Sequence, residues 1–231
     1  MRPLWNPYRD MGEPYLADPK SMICYPVFIY LTWASRFLTF MRLWILFHTG
    51  LCILFTAKLI HRWHGDWRAT LTAASICAFN GFFMGHGPYA YLFASIAYLP
   101  MVLYYQDCKS SVGLGIALAM QWFCGYPPFT YLTLLMMFSL GILEGARDGI
   151  WLCIRAGVWA FGLSAVQFIP FVEFFGLSGR TLFVDESMAT HFSIPFAQLF
   201  KELLLFQWGG GYPQNHCIAK AIPNPTEDLQ S

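Results

Sequence analysis

Charge is what this sequence has least of. Asp, Glu, Lys and Arg make up 12% of its 231 residues, against about 25% in an average soluble domain. Hydrophobic residues supply 57% and aromatic ones 19%, and the mean hydropathy is +0.46. A water-soluble chain of this length cannot hide that much apolar surface. The composition therefore excludes a soluble domain and predicts a polytopic membrane protein, with membrane lipids as its first partners. A net charge of +1 without any basic run gives no nucleic acid partner.

Paired cysteines are missing too. Cys24, Cys52, Cys77, Cys108, Cys124, Cys153 and Cys217 stand singly, without CxxC spacing, so they read as small apolar side chains in helices rather than disulfides or metal ligands. His61 and His64 have a spacing that suits a metal, but two ligands do not make a site. No apolar signal segment opens the chain, because residues 1–20 are polar and Pro-rich. A first loop outside the membrane normally follows a helix, so the reading here is of a truncated chain. No internal repeat and no separate soluble domain is visible.

What the sequence does have begins at residues 4–26, LWNPYRDMGEPYLADPKSMICYP. Pro7, Pro14, Pro19 and Pro26 each remove a backbone donor and bias the preceding residue away from helix. An ordered, aromatic-pinned loop is expected. Residues 27–33 are too short to span, since a crossing takes about 20 apolar residues. They read as an interfacial helix, with Tyr25, Tyr30 and Trp33 at headgroup level. Crossings are predicted at 37–57, 69–84, 89–105, 112–124, 129–143 and 150–169. Several of these are short and must sit nearly upright, thin the bilayer or extend into their loops. His48 lies near the middle of the first.

The fold class expected is therefore all-α: a membrane bundle of about six transmembrane helices, with outward loops carrying short interfacial helices. The organisation expected is an outward loop over 1–26, helices over about 27–169, an outward loop over 170–213 and a polar, disordered tail over 214–231. Lys58, Arg62, Arg68, Lys109, Arg147 and Arg155 fall in one set of short loops, whereas the alternate loops at 85–88 and 125–128 hold no Lys or Arg. The positive-inside rule puts the first set in the cytoplasm. By parity the opening loop and the segment after residue 169 face outward together.

Chemistry is sought on that outward side. Asp10, Glu13 and Asp18 can supply a general base or hold a divalent metal ion; solvation, or pairing with Arg9 and Lys20, is the alternative. Glu173 follows a Pro-containing helix end, where a carboxylate is expensive unless used or paired. His86, in Gly-His-Gly-Pro, can bind a phosphate or a sugar hydroxyl or serve as a bonded interfacial residue. Arg180 offers a planar fork to a lipid phosphate or to Asp185 and Glu186. Tyr126 stands in a Gly-Tyr-Pro-Pro turn, a tight helix connection and a candidate contact for substrate.

Five stretches in order, the opening loop, FNGFFMGHG with YLP, GYPPFTYLTLL, AVQFIPFVEFF and WGGGYP, resemble the bacterial YfhO-type membrane proteins, which have a GT-C glycosyltransferase architecture. The resemblance covers about residues 4–213. It implies transfer of a sugar from a polyprenyl-phosphate carrier to an acceptor outside the membrane, and it favours Asp18 and Glu13, which lie within the matching motif. The family's usual base is a carboxylate early in the first outward loop, and the chain begins inside that loop. The His and Gln that often flank the proline at Tyr126-Pro127-Pro128 are not found here. A transporter or flippase-like protein binding an amphipathic lipid is the alternative function. A decayed product with a membrane role only is a third.

Overall fold

A computed structural model describes residues 5–6, 12–34, 36–87 and 89–177. Apart from a two-residue antiparallel pair, β1 (Trp5–Asn6) with β2 (Glu13–Pro14), the described elements are helical. After a 3-10 turn at Pro19–Ser21 come α1 (Pro26–Ala34), α2 (Phe37–His64), α3 (Trp67–Phe79), α4 (Gly81–Gly85), α5 (Ala90–Ala97), α6 (Leu99–Asp107), α7 (Ser111–Phe123), α8 (Pro127–Leu143) and α9 (Ala146–Leu177).

Each apolar run read from the sequence is helical, but two of them are broken. Asn80 ends α3 in an extended conformation. Its amide bridges the gap, donating to the Cys77 carbonyl at 2.6 Å and accepting from the Phe83 N–H at 2.8 Å. The run at 89–105 breaks at Tyr98 because Pro100, in the first turn of α6, has no N–H to continue the ladder. The last run is longer than its hydropathy indicates: α9 continues through Pro170 to Leu177, so Glu173 lies inside a helix rather than beyond its end.

Among the described residues, two helices, α2 at 28 residues and the stretch Arg147–Gly176 of α9 at 30, are long and apolar enough to cross a membrane. Their outer faces leave Leu46, Leu54, Val158 and Val166 exposed. α1 is short, with Tyr30 and Trp33 exposed, whereas Tyr25 departs from its expected surface position. It is fully buried, because its hydroxyl finds partners inside the bundle.

The chain folds back on itself in tight turns. Gly65 closes α2 in the left-handed region, and Asp66 caps α3 by accepting from the N–H groups of Arg68 and Ala69. α2 packs on α3 and α6, and α9 on α7 and α8. α8 and α9 meet backbone to backbone, where a side chain on Gly149 would overlap the Gly141 carbonyl. Two cores result. One, around Tyr25, Trp44, Phe83, Phe93 and Tyr98, is aromatic. The other, around Leu114, Ala117, Met137, Cys153 and Ala156, is aliphatic and small.

The ends of the bundle differ in kind. At one, Arg62 and the Trp63 indole both donate to Asp107, and Lys109 pairs with Glu144. At the other, the opening loop lies on the turn between α7 and α8.

Candidate functional site

The opening loop is a succession of turns. Asp18 N–H reaches the Pro14 carbonyl, Ser21 N–H that of Asp18, and Tyr25 N–H that of Met22. Asp18 caps the 3-10 turn, its carboxylate accepting from the Lys20 N–H at 3.0 Å. Pro19 then rests on Gly125. That glycine has a φ of +89°, and any side chain there would overlap the Pro19 carbonyl, so two independent constraints require glycine in Gly-Tyr-Pro-Pro.

Beyond Pro19 the loop enters the bundle and delivers Tyr25 to a buried polar chain. Its hydroxyl lies 2.9 Å from His48 Nε2 and 2.8 Å from the Tyr98 hydroxyl, and His48 Nδ1 lies 2.8 Å from the Trp44 carbonyl. A carbonyl only accepts, so Nδ1 of the neutral ring carries the hydrogen and Nε2 accepts from Tyr25. Tyr25, its own hydrogen committed, accepts from Tyr98. Cys124, fully buried, closes the cluster from the end of α7 and donates to the Met120 carbonyl. Four separate parts of the chain, the loop, α2, the α5–α6 break and the end of α7, are joined there.

Above this floor sits an aromatic rim. Lys20 Nζ lies 5.9 Å above the Tyr91 ring, and Tyr91 is 6.0 Å from Tyr126 and 6.4 Å from Tyr89. His86 is 6.4 Å from Tyr89. Of the residues singled out in the sequence, Asp18, Tyr126 and His86 are thus gathered at one end, all of them half-buried. Glu173 belongs to the same end by a second route: Trp122, two residues before Cys124, packs on Phe171. Glu173 itself is exposed on α9. Glu13 pairs through its backbone with Asn6. Asp10 and Arg180 lie outside the described residues, as do the rest of the outward segment beyond residue 177 and the tail.

Among the described residues, no group of three or more His, Cys, Asp or Glu side chains comes together; of the three carboxylates considered for a divalent metal, Asp10 and the Glu13 side chain lie outside what the structure describes. Sequence reasoning missed Lys20, Tyr91 and the Tyr25–His48–Tyr98 chain. His48 gave the available signal, an ionisable residue in the middle of an apolar helix, which needs a buried partner. Compared with protein-family models, curated proteins and solved structures, the chain matches none.

Proposed function

We propose that this is an integral membrane protein of about six crossings and GT-C-like architecture that takes a polyprenyl-phosphate sugar at the end carrying the opening loop. The observation that carries the reading is the docking of that loop: Pro19 on Gly125 and Tyr25 in the floor hold Asp18, Lys20, Tyr91 and Tyr126 at one mouth of the bundle. The helices also support it. α3 with α4 and α5 with α6 act as broken crossings, and irregular backbone at membrane depth is tolerated where protein covers it. Tyr98 is buried, and Asn80 satisfies its own gap. The ion-paired end, with Lys58, Arg62 and Lys109, faces the cytoplasm.

In this reading the sugar stacks on the tyrosine rim, and Lys20 and His86 meet the phosphate. An acceptor hydroxyl attacks the anomeric carbon, the carbon–oxygen bond to phosphate breaks, and the phosphate departs on its lipid. Asp18 or Glu173 takes the hydroxyl proton. The breaks at Asn80 and Tyr98 favour a second reading, a protein that moves such a lipid across the bilayer. In bilayers containing a labelled polyprenyl-phosphate sugar, transfer gives a new glycoside and free carrier phosphate, and movement alone leaves the donor intact. Asp18→Asn and Glu173→Gln each lower transfer by about 100-fold if both carboxylates do acid–base work. Wild-type rates in both variants would exclude acid–base work by either carboxylate.

A further inference from the structure

Leu54, Lys58, His61 and Arg62 fall on one side of α2 at helical spacing. With Trp67 at the start of α3 and Tyr104 of α6 they line an open cleft of about 400 Å3 at the ion-paired end. The cleft is graded. From Leu54 to Arg62 is about 12 Å along the helix, and over that distance the wall changes from apolar to cationic.

The cations differ in how far they are satisfied. Arg62 is paired with Asp107, and the other neighbouring carboxylate, Asp66, is engaged in capping α3. Lys58 lies 5.3 Å from the centroid of Phe55 and 5.8 Å from that of Tyr104, with no carboxylate partner among the described residues. His61 is stacked on Trp67 at 4.3 Å, and its Nδ1 is buried without a hydrogen-bond partner among the described residues. The C-terminal end of a helix carries partial negative charge, so an anion here is held by these side chains and not by the backbone.

We propose that this cleft binds the phosphate headgroup of an anionic phospholipid of the inner leaflet, with Lys58 meeting the phosphate beside the His61–Trp67 stack and an acyl chain descending past Leu54. The site rests on the membrane reading, not on any transfer activity. It commits to a lipid rather than free phosphate because its lower wall is apolar and faces the region an acyl chain occupies. Basic pockets between helices on this side of a bilayer have that preference.

The test uses the full chain in nanodiscs of mixed phosphatidylcholine and phosphatidylglycerol, released and weighed by native mass spectrometry. Phosphatidylglycerol should be retained in preference to phosphatidylcholine. Lys58→Gln should lower that ratio by about fivefold, the expected worth of one basic residue near an anionic leaflet. Lys58→Arg should keep it, and so should Arg68→Gln, which removes an exposed charge outside the cleft. Equal retention of the two lipids, an equal fall in Lys58→Gln and Arg68→Gln, or displacement by inorganic phosphate would each overturn the proposal. Alkaline carbonate extraction separates the underlying reading: a chain stripped from vesicles overturns both, whereas a resistant chain without lipid preference overturns the site alone.

Discussion

Where the opening loop enters the bundle, the core is made of rings and hydrogen bonds; where α6 to α9 meet, it is made of small residues and aliphatic chains. The difference follows from what each region has to hold. A non-helical loop brings polar groups inside, and each needs a directional partner. Tyr25, His48, Tyr98 and the Trp44 carbonyl supply these in one continuous chain. The helices α7, α8 and α9 satisfy their own backbones and approach closely at Ala117, Ala156, Gly141 and Gly149, with isolated side-chain bonds added, from Gln106 of α6 to the Met137 carbonyl and from Gln121 to the Thr133 hydroxyl. In the membrane setting proposed above, lipid would give these helices no hydrophobic drive toward one another, and small residues and tight contact would do that work.

The aliphatic region is the less forgiving. A side chain on Gly149 meets the backbone of Gly141, which has nowhere to move. Gly149→Val should therefore cost at least about 3 kcal/mol, the upper part of the range for overpacking, read as a lowered midpoint in unfolding by denaturing detergent. A loss under about 1 kcal/mol would mean that α8 and α9 are not in backbone contact.

The aromatic region is tested by one oxygen. Tyr25→Phe leaves His48 Nε2 and the Tyr98 hydroxyl without their bonds while keeping the ring. Burying unpaired groups should cost about 2 kcal/mol, and proteolysis within the opening loop should speed up as the loop releases. An unchanged midpoint would reduce the chain of hydroxyls to packing.

At the ion-paired end the effect should be smallest. Partial burial pushes the Asp107 pKa up, but the hydrogen bonds from Trp63 and Arg62 and the nearby charges outweigh it, so the carboxyl lies below its ordinary value. A depressed carboxylate adds stability that is fully present above its unfolded pKa, about 3.9, and lost as the pH falls through the folded value. Asp107→Asn should cost less than about 1 kcal/mol at neutral pH, because the pair is open to solvent. It should also remove this residue's share of the loss in stability below pH about 4. An acid limb identical in the variant would show that Asp107 adds nothing.

The helices were legible because long apolar runs leave a chain little choice, and their breaks less so. Pro100 lies in the run that it interrupts, but Asn80 breaks a helix by hydrogen bonds that no hydropathy pattern records. The opening loop was legible as a loop from its prolines. Its destination was not, since Tyr25 reads as an interfacial aromatic until Tyr98, 73 residues away, offers it a hydroxyl. Asp18, His86 and Tyr126 were brought to one end, as the alternation of charged and uncharged turns implied. The cation beside them, Lys20, reads in sequence only as a counter-ion to a carboxylate, and only the fold sets it above Tyr91.

The central proposal is that the loop-bearing end faces outward and the ion-paired end faces the cytoplasm. Lys20 is exposed at one end, and Cys108 is half-exposed at the other. In a chain otherwise free of cysteine, Lys20→Cys and native Cys108 are treated separately with a membrane-impermeant maleimide in intact cells. The account predicts labelling at position 20 from outside, and at Cys108 only after permeabilisation. Labelling of both from the same side, or of Cys108 alone from outside, would contradict it.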